Sequence, residues 1–310
     1  MKSSPFISIA VITYNQEKYI AQTLDSIIEQ EHGYSYEIVV GEDCSTDGTR
    51  SILLEYKEKY PDNIKLLLNE KNYGLIKNYF NVLGNCSGEY IMQCAGDDYW
   101  LPGKVRTQIE FMENNSDVGM CYSNIQHLYP NKKRSVTKFY KGFRTIDILI
   151  KKHDIFAATI SLKRNLLLKY IDVIRPLEKK WLMEDYPLCL WFAYNSKLYC
   201  MDEVLAVYRH SANSISRPEK YDTMVRFINS VNDVDLFFLN LYEIPYAKKD
   251  LENKLCFHYI FHAAKYNQYD EYIFFISKMP LQSIKIFIKK CIGKIPMLFK
   301  MLHFYHRLKT

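Results

Sequence analysis

The sequence predicts an α/β fold in which a mostly parallel, Rossmann-like sheet is flanked by helices and followed by a helical C-terminal extension. Three observations predict this class. Short apolar, β-branched runs alternate with segments of helical apolar spacing up to about residue 114. Polar residues follow the apolar runs, and after residue 216 only helical spacing is found. Such alternation is typical of parallel strands joined by right-handed helical crossovers.

The first apolar run, residues 6–12, is apolar at nearly every position, as expected of a parallel strand buried on both faces. The next elements are predicted in order: strands at 37–40, 64–68 and 90–94, and helices at 20–28, 49–59, 76–83 and 101–114. Further along we predict an exposed loop at 132–134, a strand at 156–162, a helix at 182–193 and a strand at 198–208. We place a boundary near residue 215, which gives a domain at 1–215 and a helical region at 216–310.

Composition and charge limit the classes of function. Of the 310 residues, 48% are hydrophobic and 25% are charged, which indicates a globular core rather than disorder. The net charge is +6, and residues 272–310 carry eight Lys or Arg and no acidic residue. Once these eight are subtracted, the first 271 residues have a net charge of −2. A nucleic-acid-binding protein would spread basic residues over a working face, so we expect no nucleic-acid partner.

Cysteine usage and the N-terminus predict a location. The eight cysteines have no CxxC spacing, and no His/Cys cluster is typical of a zinc site. Residues 1–5 lack the layout of a signal peptide, and no stretch reaches the roughly 18 apolar residues of a membrane span. We therefore expect reduced thiols in a cytoplasm.

Two acidic pairs follow predicted strands. Asp97 and Asp98 follow the run at 90–94, where two carboxylates suit a hard cation, Mg²⁺ or Mn²⁺, or form a solvated acidic turn. Glu42 and Asp43 follow 37–40, where they can accept hydrogen bonds from a ribose hydroxyl or a base N–H. Alternatively, Ser45 and Asp47 in that stretch only cap the next helix. Because ligands bind beyond the carboxyl ends of parallel strands, we expect these pairs and residues 13–15 to converge on one edge of the sheet.

Two further polar motifs come later. Glu184 and Asp185 open a predicted helix, where a carboxylate is either a helix cap or a general base that removes a proton from a substrate hydroxyl. Arg209 and His210 follow the strand at 198–208. They neutralise a diphosphate leaving group or ligate its metal, or else they form a surface feature. None of the motifs is decisive by itself.

The order and spacing of these segments resemble the family 2 glycosyltransferases of the GT-A fold. The resemblance covers about residues 5–216, and it is specific as a combination although each piece is weak. It is carried by residues 9–15 (IAVITYN), 37–49 (EIVVGEDCSTDGT), 72–74 (NYG) with Asn78, 88–100 (GEYIMQCAGDDYW), Glu184 with Asp185, 208–210 (YRH) and 214–216 (SIS).

The resemblance implies an inverting, metal-dependent glycosyltransferase of bacterial surface-polysaccharide synthesis, with Mn²⁺ or Mg²⁺ as cofactor. Residues 1–215 would be its nucleotide-sugar-binding catalytic domain, and the sugar would move from a UDP-sugar donor to a hydroxyl of a glycan or lipid-linked acceptor. Asp185 would be the catalytic base, with Glu184 beside it. The implied donor-binding residues are Thr13, Tyr14, Asn15, Glu42, Asp43, Lys77, Asn78, Asp97 and Arg209, and the implied metal ligands are Asp97, Asp98 and His210.

Three positions depart from the family pattern. Glu42 is one methylene longer than the usual Asp, Ala95 replaces the first carboxylate of the DxD motif, and His210 comes one position early, with Ser211 in its usual place. Ala95 and the shifted His210 support an alternative, a non-catalytic protein that binds nucleotide sugars or glycans on the same fold. A nucleotidyltransferase fits less well, because it would have a glycine-rich basic loop after the first strand, where residues 13–16 are TYNQ.

The C-terminal tail has two interpretations. Apolar residues recur at helical spacing over 284–302, with lysines largely between them. Such a segment either binds an anionic membrane surface or packs its apolar stripe on the first domain. Gly293 and Pro296 interrupt it, which favours two short packed helices. The first interpretation places the protein on the inner face of the plasma membrane.

Overall fold

The computed structural model describes residues 6–31, 33–131, 133–152, 155–210, 218–245 and 248–279. The chain divides into two compact units, Met1–Ala212 and Asn213–Thr310. The first unit contains the sheet and its flanking helices, and the second is helical over its described residues. The predicted α/β class and the helical C-terminal region are therefore confirmed. The separate roles assigned to residues 1–215 and 216–310 stay predictions.

The elements alternate as the sequence predicts in the first half of the chain. The strands are β1 (Ile7–Thr13), β2 (Tyr36–Glu42), β3 (Ile64–Leu68), β4 (Tyr90–Ala95), β5 (Tyr99–Trp100), β6 (Val118–Leu128), β7 (Arg134–Thr137), β8 (Gly142–Arg144), β9 (Ser161–Lys163) and β10 (Lys197–Arg209). The helices are α1 (Ile20–Ile28), α2 (Thr49–Lys59), α3 (Leu75–Gly84), α4 (Lys104–Asn114), α5 (Ile146–Lys151), α6 (Arg164–Ile174), α7 (Asp185–Asn195), α8 (Tyr221–Leu241), α9 (Lys248–Lys265) and α10 (Tyr269–Lys278).

The sheet combines two parallel sets. Its order is β3-β2-β1-β4-β9-β6-β10-β5, with β7 paired to β6 and β8 paired to β10. Strands β1 to β4 are mutually parallel, and so are β6 and β10. The short strand β9 runs antiparallel to both of its neighbours, β4 and β6, so both parallel sets point the same way. The carboxyl ends of β1, β2, β4, β6 and β10 therefore lie at one edge of the sheet.

The buried core fixes the position of this edge. Ile9 and Val11 of β1 are fully buried and belong to one apolar cluster with Leu24 of α1, Val40 of β2 and Ile109 of α4. Each such side chain contributes roughly 1.5–3 kcal/mol when it is removed from water. The strand that carries the first polar loop is thus held by packing on both of its faces.

Four predicted boundaries are wrong. The helix predicted at 182–193 begins only at Asp185. The helix predicted at 101–114 begins only at Lys104, because Gly103 has a left-handed backbone (φ 83°) and β5 pairs with β10 before it. The strand predicted at 156–162 is a 3₁₀ turn at Ala157–Thr159 followed by β9, because the Thr159 carbonyl is drawn towards α4. In the loop predicted at 132–134, Arg134 already belongs to β7, and Lys132 lies outside the described residues.

Over the described part of the chain, none of the helices is both long and apolar enough to cross a membrane. The basic tail at 284–302 and the segment at 211–216 lie outside the described residues.

A buried lysine holds the 3₁₀ turn against α4. The Lys104 side chain is fully buried, and its Nζ donates to Gln108 Oε1 and to the Thr159 carbonyl (3.1 Å). Gln108 Nε2 donates to the same carbonyl (2.9 Å). Burial lowers the pKa of Lys104 to about 7, which the nearby Cys121 and Cys94 thiols oppose. The turn therefore rests on a lysine that is uncharged above neutral pH.

We expect the free energy of unfolding of the native chain to increase, relative to that of Lys104→Met, as the pH rises from about 7 to about 10. In this window the folded protein holds Lys104 uncharged, whereas the unfolded chain keeps it protonated up to its ordinary pKa of 10.5. Unfolding then takes up a proton, so a rise in pH favours the folded state by up to about 1.4 kcal/mol per pH unit. Urea unfolding of both proteins across this range measures the difference. Lys169→Met, at an exposed position of α6, is the matched control, and a pH-independent difference for Lys104→Met would contradict the prediction.

Candidate active site

The ends of β1, β2 and β4 bring the first polar clusters together. Thr13 is in register with Glu42, and Ile12 is in register with Ala95. The Asp43 amide also donates to the Thr13 carbonyl (3.1 Å). The predicted convergence of these loops on one sheet edge is therefore confirmed, although the roles of their side chains stay predictions.

Two buried oxygens at this edge lack a partner among the described residues. They are Thr13 Oγ1 and Gln16 Oε1. Both face the backbone of Gly96, where an added Cβ would lie 2.4 Å from Gln16 Oε1 and 2.8 Å from Thr13 Oγ1. Buried polar atoms in native proteins normally have a hydrogen-bond partner, so these two unsatisfied oxygens are candidates for contact with a ligand's N–H or O–H groups.

Asn15 joins the loop after β1 to the loop after β2. Its backbone is left-handed (φ 53°), its amide donates to Ser45 Oγ (3.0 Å), and its Oδ1 accepts from the Thr46 amide (2.8 Å). The side chain of Asn15 therefore positions the loop. Tyr14, 44% exposed, is open to solvent beside it.

Glu42 is fully buried and held by the chain itself. Its Oε1 accepts from the Ser45 amide (2.5 Å), and its Oε2 accepts from Nε of Arg50 on α2 (2.5 Å). The helix-capping alternative is also present in part, because Asp47 Oδ1 accepts from the Thr49 amide at the start of α2 (3.0 Å). Glu42 thus anchors the loop after β2, and its predicted contact with a nucleobase is untested.

Asp43 organises the loop before α3. Its Oδ1 accepts from Asn69 Nδ2 and the Tyr73 amide, and its Oδ2 accepts from the Gly74 amide, each at 2.8 Å. Asn78, on the first turn of α3, donates from Nδ2 to the Gly41 carbonyl (2.9 Å). Asp43 and Asn78 are therefore buried supports of the loop.

Lys77 is different, because its side chain is exposed on α3 and no hydrogen bond or ion pair to the rest of the described chain involves it. It is the implied donor-binding residue on α3 that stays accessible.

Asp97 and Asp98 are tied to the end of β10 by Arg209. The Arg209 amide donates to Asp98 Oδ1 (2.9 Å), and its Nε donates to the Asp97 carbonyl (2.7 Å). The guanidinium lies over the rings of Tyr19 (4.6 Å) and Tyr99 (5.2 Å). Asp98 is buried, and both its burial and the charge of Asp97 raise its pKa. The structure therefore brings three of the predicted residues into one cluster.

His210 does not join that cluster. Its Nε2 lies 3.0 Å from Nδ1 of His127 on β6, and its ring stacks on Tyr129 at 4.2 Å. Within the described ranges, no three His, Cys, Asp or Glu side chains form a group that could hold a metal ion. The predicted set of Asp97, Asp98 and His210 is thus not assembled as one group, because the ring of His210 is engaged on the β6 side.

Glu184 and Asp185 stand at the start of α7. Asp185 Oδ1 accepts from the Tyr186 amide (2.7 Å), as a helix-starting carboxylate does. Burial and then the charge of Asp185 raise the pKa of Glu184 to about 8. Both carboxylates also raise the pKa of the buried Tyr79, whose hydroxyl donates to Gln93 Oε1 on β4 (3.0 Å). The pair is therefore within electrostatic range of Tyr79, whose partner Gln93 lies four residues before Asp97 in the sequence.

A cavity of about 600 Å³ lies at the opposite end of the sheet. It is lined by residues at the starts of β1, β4 and α6, including Phe6, Glu89, Arg164 and Leu168. It is remote in the fold from the acidic clusters, so it is not the predicted site.

Sequence reasoning missed Gln16, Arg50 and His127. Gln16 and His127 gave no signal, because their importance comes from neighbours on other elements. Arg50 had a weak signal, since a cation on the first turn of α2 is within reach of an acid at the end of β2.

Comparison with known families agrees with this geometry. The model of glycosyl transferase family 2 matches residues 8–170, which is more than half of the chain. The *Escherichia coli* protein named UDP-Glc:alpha-D-GlcNAc-diphosphoundecaprenol beta-1,3-glucosyltransferase WfgD is 30% identical over 213 residues, which cover 68% of this chain and 79% of the relative. The putative teichuronic acid biosynthesis glycosyltransferase TuaG of *Bacillus subtilis* is 29% identical over 217 residues, covering 68% and 82%.

Other relatives are longer. An uncharacterized protein of *Mycobacterium tuberculosis* is 28% identical over 217 residues, which cover 67% of this chain and 60% of the relative. The chain thus spans about three fifths of the length of such mycobacterial relatives.

Solved structures agree on the fold. *Staphylococcus aureus* TarS residues 1–349 in complex with UDP matches 98% of this chain and 87% of that chain, with a TM-score of 0.59 and 20% identity. The complex of the same protein with UDP-GlcNAc covers 99% and 92%, with a TM-score of 0.61 and 18% identity. These likenesses show a shared GT-A architecture. Because the family model covers most of the unit that holds the polar edge, the chain belongs to glycosyl transferase family 2.

Proposed function

We propose that the chain transfers a sugar from a UDP-sugar to a hydroxyl of a glycan or lipid-linked acceptor in cell-surface polysaccharide synthesis, with inversion and with Mn²⁺ or Mg²⁺. The observation that carries the proposal is the Asp97–Asp98 pair, which Arg209 holds at the sheet edge where Thr13 and Gln16 present unpaired oxygens. The relatives support the substrate classes. WfgD is named for a UDP-glucose donor and a diphosphoundecaprenol-linked acceptor, and TarS was solved with UDP and UDP-GlcNAc.

The donor nucleoside would lie over the loops after β1 and β2. Thr13 Oγ1 and Gln16 Oε1 would accept hydrogen bonds from its N–H or O–H groups, and Gly96 lets these two side chains pack directly against its backbone. The exposed Tyr14 ring offers a stacking surface. The remaining implied donor-site residues have two roles. Those that would shape the loops are Asn15, Glu42, Asp43 and Asn78. Those that would attract the diphosphate are Lys77 and Arg209.

Asp97 and Asp98 would hold the divalent cation. Burial and the charge of Asp97 raise the pKa of Asp98, and a cation beside both carboxylates would relieve that repulsion, so the donor set fits a hard cation. Since Ala95 supplies no oxygen, phosphate oxygens and water would fill the other positions. A bound cation would supply neutralisation of the charge that develops on the leaving diphosphate. Arg209 adds a fixed positive charge beside these carboxylates.

Asp185 would act as the general base. Glu184 stands beside it, and burial and then the charge of Asp185 raise the pKa of Glu184 to about 8. Asp185 takes the proton of the acceptor hydroxyl, and the acceptor oxygen forms a bond to the anomeric carbon. The bond from that carbon to the diphosphate oxygen breaks on the opposite face, and UDP leaves with the bonding electrons. Attack from the opposite face inverts the configuration.

One observation favours a second function. Ala95 stands where the family has a carboxylate, and the described residues contain no group of three metal-ligating side chains. A protein that binds a nucleotide sugar or a glycan without turnover fits this observation.

The location proposed for the enzyme is the cytoplasm, with peripheral attachment to the inner face of the plasma membrane through the basic tail. That tail lies outside the described residues.

Asp185→Asn should lower the rate of UDP release by about 10²–10⁴-fold, because an amide cannot accept the hydroxyl proton. UDP affinity should be unchanged. The assay follows UDP release from UDP-glucose or UDP-GlcNAc with a synthetic diphosphate-lipid-linked GlcNAc acceptor. Asp172→Asn, at an exposed carboxylate of α6, is the matched control and should keep the native rate. A rate for Asp185→Asn within a few-fold of the native rate would exclude it as the base.

Mn²⁺ should tighten UDP binding at least roughly tenfold, or about 1.4 kcal/mol, and Asp97→Asn should abolish that gain. The reason is that Asp97 and the diphosphate would share the ion. Titration calorimetry with UDP, in the presence and absence of Mn²⁺, measures the effect. Asp62→Asn, at an exposed carboxylate before β3, is the control. Equal UDP affinity with and without the ion, together with no turnover, would favour the non-catalytic alternative.

A further inference from the structure

The segment from β7 to β8 exposes a surface that the proposed reaction does not use. We call it the β7–β8 surface; it consists of Lys133, Arg134, Val136, Lys138, Tyr140, Lys141 and Phe143, all of which are exposed. Strand β7 pairs with residues 125–128 at the carboxyl end of β6, whereas β8 pairs with residues 198–200 near the start of β10. The segment therefore runs from the edge that carries the site towards the opposite edge of the sheet.

The charge of this surface is of one sign. Residues 118–146 contain six Lys or Arg and no Asp or Glu. Within the described chain, no ion pair or side-chain hydrogen bond engages the ammonium groups of Lys133, Lys138 and Lys141. Arg134 donates to Gln126 Oε1 (3.2 Å), which is a neutral partner. The surface therefore presents cations that the protein itself does not neutralise.

Apolar side chains lie between these cations. Tyr140 is 84% exposed, Phe143 is 54% exposed and Val136 is 47% exposed. Lysines on a sheet edge are a common protection against edge-to-edge pairing, and this explains Lys133 and Lys138. It does not explain why two aromatic rings and a valine stand in water beside them, because edge protection removes apolar groups.

Acidic side chains near this surface are few. Asp117 is paired with Lys197, which also lies over the Phe143 ring (5.3 Å). Asp202 and Glu203 are exposed on β10, two and three residues beyond Cys200, the residue in register with Gly142. The positive surface therefore has its acidic neighbours on β10 and not within the β7–β8 segment.

We propose that the β7–β8 surface binds an anionic lipid bilayer. Lysines attract anionic headgroups, and Tyr and Phe side chains are enriched at the level where headgroups meet acyl chains. A soluble polyanion would use the charges but would leave the apolar groups in water, so the combination favours a membrane surface. This proposal does not rest on the proposed reaction, since binding to lipid needs neither donor nor acceptor.

Hydrogen-bonding side chains link β7 to the residue that follows β10. Thr137 Oγ1 on β7 lies 2.8 Å from His127 Nε2, and His127 Nδ1 lies 3.0 Å from His210 Nε2. His210 follows Arg209 directly. Because β7 pairs with the last residues of β6, a bilayer bound there would lie near the carboxyl end of β6.

The test is co-sedimentation of the full chain with vesicles of phosphatidylcholine, with and without phosphatidylglycerol. The native chain should bind only the vesicles that contain phosphatidylglycerol. Lys138→Gln with Lys141→Gln should weaken that binding roughly 30-fold. Each basic residue near a membrane surface contributes about 1 kcal/mol, and about 1.4 kcal/mol corresponds to a tenfold change in affinity. Lys169→Gln with Lys180→Gln changes the net charge equally at exposed positions outside β7–β8, and this control should bind as the native chain does.

Tyr140→Ser provides a second variant that is safe for folding, because that side chain is almost entirely in water. It should weaken binding at high salt, where the apolar contacts dominate. Three results would overturn the proposal: no binding by the native chain, native affinity in Lys138→Gln with Lys141→Gln, or equal losses in that variant and the control. The second result would assign lipid binding to another part of the chain, such as its basic C-terminal residues. UDP titration of each variant does not depend on lipid binding. It therefore distinguishes a failure of the proposed reaction from a failure of the proposed membrane binding.

Discussion

The bond from the Arg209 amide to the Asp98 carboxylate joins positions 111 residues apart, and the polar edge depends on it. A buried carboxylate without a partner is costly, whereas a charge-assisted hydrogen bond contributes about 1.5–3 kcal/mol. The same arginine binds the Asp97 carbonyl and lies over Tyr19 and Tyr99. One residue therefore fixes the end of β4 against the end of β10 and against the loop before α1. The Thr23 hydroxyl adds hydrogen bonds to the Gly96 and Asp98 carbonyls, so the loop after β4 is held from α1 as well.

Several acidic residues of the motifs hold the loops of the site in place through hydrogen bonds within the chain. Glu42 binds Arg50 and the Ser45 amide, and Asp43 binds the amides of Tyr73 and Gly74. Carboxylates are suited to this work because each oxygen accepts more than one N–H, so a single side chain can close a loop. A site whose loops are bonded in this way is preorganised, and it needs little rearrangement when a charged ligand arrives. The motif spacing thus reflects loop closure as well as ligand contact.

The sequence predicted the elements whose signal is local. Residues 6–12 form β1 because burial on both faces leaves a continuous apolar run, and a strand of that kind can be identified without its partners. The turn before β9 could not be predicted in this way, because Lys104 and Gln108, about fifty residues earlier, determine the position of the Thr159 carbonyl. His210 was expected beside Asp97 and Asp98, but a histidine on β6 engages its ring. A side-chain role that depends on a partner from another strand produces no periodic pattern in the sequence, so it cannot be predicted from one.

The unpaired oxygens of Thr13 and Gln16 give the edge a preference among ligands. A buried acceptor without a partner costs on the order of 1–3 kcal/mol in the free protein. A ligand that donates N–H or O–H groups at that place removes the cost, whereas an apolar ligand of the same shape leaves it in place. Discrimination by a missing hydrogen bond is much stronger than discrimination by a missing methylene, because the site's own polar groups stay unpaired. We therefore expect this place to prefer a polar ligand that donates hydrogen bonds.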